Sequence, residues 1–210
     1  MDMTAQAAQQ DGVWRRAMWL YGVHAVLNLF AYLVGYYFLP EGLMRSSPQV
    51  AVGGAVAAAR SFGAELALTL LFNLVLTSGL IVLLNLTRVR DFPTGYTVPI
   101  VLGLVGGLIS GTNSFAVSDL RLYNAWEGQA LGLSIGGLEM LGYCLVAAAT
   151  ANLSMEVYRS WWRWSGEFKP TRIRTWRDLR LIRSEWLVLV LAVLLILLSA
   201  YRETLMAVAA

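Results

Sequence analysis

Five apolar runs separated by polar stretches set the pattern of this chain: about 17–39, 66–86, 97–116, 128–151 and 186–201. At a rise of 1.5 Å per residue the first four reach roughly 30 Å or more, enough to cross the hydrocarbon of a bilayer. The fifth is shorter, but Leu187 to Leu198 carries no polar side chain. It spans when Trp186, Tyr201 and Arg202 sit in the two interfaces. The pattern predicts an all-α, polytopic integral membrane bundle of five transmembrane helices. Met1–Gly12 is polar and rich in Ala and Gln, and the apolar run after it is too long for the core of a signal peptide. Residues 1–12 therefore read as a disordered tail, and 13–210 as a single membrane domain whose first span is retained.

Small and polar residues recur on particular helix faces. Gly128, Gly132, Gly136, Glu139 and Tyr143 fall within an arc of about 80° at 100° per residue. A carboxylate on a glycine-lined face looks at a neighbouring helix and not at lipid. The third run repeats the device with Gly103, Gly107 and Gly111, and with Ser110 and Ser114 beside them. Runs three and four are joined by a short loop, so the two glycine faces are expected to close on each other as an antiparallel hairpin. In the second run Glu65, Thr69, Asn73 and Thr77 recur every four residues, a polar stripe that faces protein. Between the first two runs, 48–60 is small and mildly apolar: either a helix lying on the outer surface or an ordered connector, with Gly53–Gly54 weighing against a regular helix.

Charge fixes the expected orientation. Only 14% of the chain is charged and 58% is hydrophobic, with a net charge of +3. Twelve of the 16 Lys and Arg residues fall in the N-terminal segment and the loops after runs two and four; Arg45, Arg60, Arg121 and Arg202 fall on the other side. The positive-inside rule then places the N-terminus in the cytoplasm and the C-terminus outside. The loop 151–185 carries eight of the 16 basic residues. Trp161, Trp162 and Trp164 follow the membrane exit, and Ile173, Trp176, Leu179 and Ile182 recur every three residues among Arg172, Arg174, Arg177 and Arg180. This predicts an amphipathic interfacial helix over 171–184 that rests on anionic headgroups or docks a cytoplasmic partner. Nucleic acid is not the expected partner, because the basic residues alternate with membrane-facing Trp and Leu.

Candidate chemistry is sparse. The single cysteine, Cys144, cannot form an intrachain disulfide, and one His with one Cys makes no zinc pattern. No G-x-S-x-G, H-E-x-x-H or P-loop motif occurs, so no enzymatic activity and no cofactor are expected. Counted from the basic ends, Asn28, Asn73 and Glu139 lie at one depth, roughly 17–20 Å in. His24 lies a turn below Asn28, and Tyr143 a turn below Glu139. These five residues form a candidate intramembrane polar site. Either Glu139 is protonated and bonds an amide such as Asn73 or Asn28, or it faces a hydrated cavity and titrates. His24 reads as an interior hydrogen-bonding residue; it is also the one axial ligand an accessory pigment or electron-transfer bundle would find.

The segments FNLVLTSG (Phe72–Gly79), GLVGGLISGTNSF (Gly103–Phe115) and SIGGLEMLGY (Ser134–Tyr143) resemble the stage II sporulation protein M family of membrane proteins. In that family an asparagine-bearing helix precedes a glycine-rich helix, and a Pro-His-Gly-x-x-Glu-type segment opens the next span. The family's Gly and Glu match Gly136 and Glu139; its Pro and His are replaced by Ser134 and Ile135. The resemblance implies a non-enzymatic subunit or scaffold of a larger membrane assembly, as a homo-oligomer or with other membrane subunits, in a bacterial or archaeal cytoplasmic membrane. The alternative expectation is a transporter component, a small permease or exporter half, with Glu139 in a polar intramembrane site.

Overall fold

The computed structural model describes residues 3–59, 61–115, 125–161 and 169–209, with the side chains of 3–11, 125, 127–135 and 206–209 left aside. Helix α1 runs from Met3 to Phe38, so helix begins inside the segment expected as a tail. A short helix α2, Pro48–Ala57, follows. Ser47 caps it, accepting from the Val50 amide at 3.4 Å, and Pro48 fits its first turn. The glycine pair therefore sits inside a helix, because a cap and a first-turn proline outweigh the modest cost of two glycines. Ser61 caps α3, Phe62–Leu70, in the same way.

The second span is not uniform. Between α3 and α4, Ser78–Leu84, the residues Leu71–Thr77 form a π-helical stretch. The Asn73 carbonyl accepts from the Ser78 amide, the wide bond of this stretch, and also from the Ser78 hydroxyl at 3.0 Å. Helix α5, Thr97–Gly111, enters through a 3-10 turn at Thr94–Tyr96. Helix α6, Ala125–Thr150, has 26 residues, roughly 39 Å. Helix α7, Arg183–Ala209, extends past the fifth apolar run at both ends. Four helical stretches among the described residues are long and apolar enough to cross a membrane: Gly12–Phe38, Phe62–Leu84, Thr94–Gly111 and Arg183–Leu205. The inner half of α6, Tyr143–Ala149, is wholly buried between α1, α4 and α7 and forms the core with Ala17, Leu20, Ile81, Val188, Ala192 and Ile196.

At the basic end the bundle carries a small four-stranded sheet, which the all-helical pattern does not contain. Strands β1 (Thr87–Val89), β2 (Phe92–Pro93), β3 (Glu156–Tyr158) and β4 (Pro170–Arg172) lie in the order β2-β1-β3-β4. The outer pairs are antiparallel. The central β1–β3 pair is parallel, with Arg88 opposite Val157, and so ties the loop after the second span to the loop after α6. The tight turn between β1 and β2 is Arg90–Asp91, with Arg90 in the left-handed region at φ 55°. Its amide donates to Tyr158 O at 2.8 Å and its Nε to Arg159 O at 3.1 Å, which holds a conformation that L side chains disfavour.

The expected amphipathic helix over 171–184 is not there. Residues 170–172 are a strand, Trp176–Asp178 is one 3-10 turn, and Leu179 is extended. Local hydrogen bonding explains the difference. The Thr175 hydroxyl donates to Asp178 Oδ2 at 2.6 Å and the Thr175 amide donates to the same oxygen at 2.9 Å, closing a turn that competes with helix. The Ile173 amide pairs with Met155 O at 2.8 Å, outside any helical ladder.

Asn85 joins sheet and bundle. Fully buried at the end of α4, it donates through Nδ2 to Ala147 O at 2.9 Å and to Thr150 Oγ1 at 2.7 Å. Its Oδ1 accepts from the Gly95 amide at 3.0 Å, and its carbonyl accepts from Ser154 Oγ at 3.2 Å. A Cβ at Gly95 would lie 2.5 Å from that Oδ1, so only glycine allows the approach. Replacing Asn85 by Ala strands a buried amide and a buried carbonyl; the expected loss is about 3 kcal/mol, read as a lower midpoint of thermal unfolding in detergent.

The Asp178 turn generates a second expectation. Hydrogen bonds from the Thr175 side chain and then its backbone amide hold the Asp178 carboxyl below the ordinary aspartate value. A depressed value stabilises the turn above the unfolded pKa, and that contribution is lost as pH falls through the folded one. The Thr175 amide resonance should therefore titrate with a midpoint below about 3.9. The Asp178→Asn variant should show no such titration.

Candidate functional site

The closest helix pairing is between α1 and α5, and polar side chains build it. His24 Nδ1 lies 2.7 Å from Pro99 O; facing a carbonyl, that nitrogen carries the proton and donates. One turn along, Asn28 Nδ2 donates to Gly103 O at 3.2 Å. The glycines of α5 make room for these reaches. A Cβ on Gly103 would lie 2.9 Å from His24 O and 3.0 Å from His24 Nδ1. A Cβ on Gly107 would overlap the Asn28 carbonyl, and one on Gly111 the Tyr32 carbonyl. Gly35 returns the complement: its own Cβ would lie 3.2 Å from the Gly111 backbone. Residues 24, 28, 32 and 35 thus climb beside 99, 103, 107 and 111 in the same direction, a parallel small-residue seam with two side-chain-to-carbonyl bonds.

The glycine face of α5 therefore packs on α1, not on α6 as an antiparallel hairpin. Chain proximity favours the hairpin, but α1 offers Ala31, Gly35 and two reaching amphiphiles at matching four-residue steps. On α6 the expected glycine ridge also shifts. Gly136 has open space where a Cβ would go, whereas a Cβ on Gly142, off that face, would lie 2.6 Å from Ile196 Cγ1 and 3.3 Å from Ala192 O of α7. Gly128 and Gly132 lie on α6, but their packing falls outside the described side chains.

The five residues of the expected polar site do not meet: two lie on the α1–α5 seam, two on α6, and Asn73 in the second span. His24 and Asn28 belong to the α1–α5 seam, where His24 also stacks on Tyr21 with ring centroids 6.3 Å apart. Glu139 and Tyr143 belong to α6: the Tyr143 hydroxyl donates to Glu139 Oε1 at 2.7 Å, an i, i+4 bond along one face. Tyr143 is fully buried and also meets Thr77 at the end of the π-helical stretch, while Glu139 faces the charge of Glu203 on α7. Glu203 in turn faces Glu65, one of the two buried residues of α3. The other, Thr69, carries a buried hydroxyl without a hydrogen-bond partner. Asn73 enters through its backbone carbonyl, within the π-helical stretch.

A second polar knot, unforeseen from the sequence, lies at the basic end. Arg16 Nη2 of α1 is 4.0 Å from Glu185 Oε1 and donates to Ala148 O at 3.3 Å. The same Glu185 oxygen accepts from Asn152 Nδ2 at 2.6 Å, and Oε2 accepts from the Ile182 amide at 3.0 Å. Glu185 is the third residue of α7, so this last bond is the carboxylate half of a capping box, with Ile182 supplying no side-chain acceptor in return. The signal present in the sequence is a lone carboxylate immediately before an apolar run.

The predicted docking residues lie on and beside the sheet. Trp161 is half exposed and its ring sits 5.5 Å from that of Phe92. Arg172, Arg174, Trp176, Arg177 and Arg180 are all exposed. Trp162 and Trp164 lie outside the described residues. Among the described residues no group of three or more His, Cys, Asp or Glu is placed to hold a metal ion. Comparison with known proteins finds no matching family model, no matching curated protein and no matching solved structure.

The seam makes a graded prediction. Gly107→Ala should force α1 and α5 apart and cost about 1–3 kcal/mol in thermal unfolding. Gly106→Ala, whose Cβ would lie 3.5 Å from Asn28 Nδ2, and Gly136→Ala, whose Cβ meets nothing within 4 Å, should be close to neutral. Equal losses at all three positions would contradict the parallel seam.

Proposed function

We propose that this chain is a non-enzymatic integral membrane subunit or scaffold of a larger assembly, as its resemblance to the stage II sporulation protein M family implies. It would cross a bacterial or archaeal cytoplasmic membrane five times, with α6 as the fourth span, its N-terminus cytoplasmic and its C-terminus outside. The observation that carries the reading is the use made of polar groups within the spans. His24, Asn28 and Asn85 each bond a backbone carbonyl of another helix, which is how polar side chains fasten a bundle. The second span supports it too. It is the least enclosed of the four apolar stretches and presents Leu71, Val75, Leu76, Leu80 and Leu83 outward, a side on which further membrane subunits or a second copy would pack.

A second reading, a transporter component, is favoured by one feature. Glu139 faces Glu203 across α6 and α7, beside a π-helical stretch of the kind that often marks functional positions. Carboxylates within a membrane are candidates for ion or proton handling.

The two readings part on Glu139→Gln. Under the scaffold reading the variant copurifies from native membranes with the same proteins as wild type, and vesicles containing it show unchanged proton and cation flux. A monodisperse wild-type chain that alone supports such flux, abolished in Glu139→Gln, would replace the scaffold reading with the transport one.

A further inference from the structure

We propose that the four-stranded sheet at the basic end, with the 3-10 turn that follows it, is a binding site for anionic phospholipid headgroups. This deepens the membrane reading above and rests on it. The first argument is depth. Strand β1 starts at Thr87, just past the end of α4 at Leu84, and the Met155 and Glu156 amides both donate to Leu86 O, at 2.7 and 3.2 Å. The sheet therefore hangs directly from the helix ends. A three-residue strand is about 10 Å long. The headgroup layer is roughly 5–8 Å deep on each side of the hydrocarbon. The sheet is thus of the right size and position to lie in that layer.

The second argument is charge. Arg90, Arg159, Arg172, Arg174, Arg177 and Arg180 are exposed on this end. Among the described residues the one ion pair is that of Arg16 with Glu185, so none of the six is neutralised in an ion pair. Three carboxylates lie among them, Asp91 beside Arg90, Glu156 opposite Arg172, and Asp178, which Thr175 bonds and which also feels the charges of Arg180 and Arg174, so the basic residues stay in excess. Three of the guanidinium groups are oriented by the backbone: Arg90 Nε donates to Arg159 O, Arg172 Nε to Arg174 O, and Arg174 Nη1 to Asn152 O. Each such bond uses one nitrogen and leaves further N–H groups for the oxygens of a phosphodiester.

The third argument selects lipid over a soluble acidic partner. Trp161, Ile173 and Trp176 are exposed among these arginines, with Trp176 at 64%. Indoles beside cations, at the ends of apolar helices, suit the headgroup level, where one side of the ring is apolar and the other wet. A water-facing site for an acidic peptide would leave those surfaces against solvent.

The test uses the full chain in nanodiscs of phosphatidylcholine with and without phosphatidylglycerol, with lipids retained after mild delipidation counted by native mass spectrometry. Wild type should retain phosphatidylglycerol preferentially. The triple variant Arg172→Gln, Arg177→Gln, Arg180→Gln should lose at least tenfold of that preference, since each basic residue near a charged surface is worth about fivefold. The triple Arg→Lys variant should keep most of it, and Arg45→Gln at the opposite end should leave it unchanged. Equal retention of both lipids by wild type overturns the inference, as does a preference that survives the triple Gln variant with unchanged thermal stability. A polyglutamate peptide that displaces phosphatidylglycerol at matched ionic strength also overturns it, in favour of an acidic partner. A chain that fails to enter discs at all sinks the membrane reading itself; entry without selectivity sinks this inference alone.

Discussion

Close approach of α1 to α5 is the constraint on which the remaining packing depends. Lipid tails are as apolar as leucine, so helices in a bilayer gain little from hydrophobic burial against each other and must find close van der Waals contact or hydrogen bonds. This seam has both. Absent side chains at Gly103, Gly107, Gly111 and Gly35 bring the two backbones together, and the short distance lets His24 and Asn28 reach carbonyls that are otherwise fully engaged in their own helix. The two devices need each other. A Cβ at 103 would block His24, and without His24 and Asn28 the seam would rest on packing alone. The same α1 then meets α6 and α7 with its N-terminal residues Val13, Ala17 and Leu20, so the geometry of the seam is passed to the core.

Polar groups gather differently at the two ends of the bundle. At the basic end, Asn85 gathers Ala147, Thr150, Gly95 and Ser154, and Glu185 gathers Arg16, Asn152 and the Ile182 amide. These two knots tie the ends of α1, α4, α6 and α7 to the loops that form the sheet. Toward the other end, carboxylates on three helices face one another, Glu65 with Glu203 and Glu203 with Glu139, and the buried Thr69 hydroxyl beside Glu65 has no partner. Neither end is fully satisfied: at the basic end Arg16 Nε, Arg88 Nε, Tyr96 Oη and Ser184 Oγ are also buried without a hydrogen-bond partner, and a stranded buried group costs roughly 1–3 kcal/mol. The two ends differ in the kind of polar contact, amide and ion-pair knots at the basic end and like-charged carboxyl groups at the other.

Much of this was legible from local pattern, and the failures share one cause. Apolar runs located the helices because hydropathy is a local property, and a four-residue step was enough to put Tyr143 beside Glu139. The step also marked Gly103, Gly107 and Gly111 as a close-packing face, but such a face does not name its partner; loop length pointed to α6, and the complementary steps of α1 decided otherwise. The segment 171–184 failed for a related reason. Its three-residue apolar spacing lies near the helical period, yet β4 forms by pairing with β3, and β3 by pairing with β1, about seventy positions away in sequence. No periodicity within the segment carries that information. Asn85 and Glu185 stood at the edges of apolar runs, where a polar residue looks like a boundary; their roles came from partners on other helices.

The sheet changes what the basic residues are. On an amphipathic helix they would form a stripe whose position relative to the spans is set only by a flexible tether. Arg172 ends β4 and Arg90 closes the β1–β2 turn, so a sheet bonded to Leu86 O and locked by the parallel β1–β3 pair fixes these two relative to the helix ends, with Arg159 and Arg174 flanking its strands. Fixed height matters because the field of a charged leaflet falls off within a Debye length, about 8 Å at physiological ionic strength. Arginines anchored to the sheet keep their place in that field, whereas a tethered stripe averages over it. The parallel pairing that sequence periodicity could not reveal is thus also what turns the excess of positive charge from a topology signal into a defined surface.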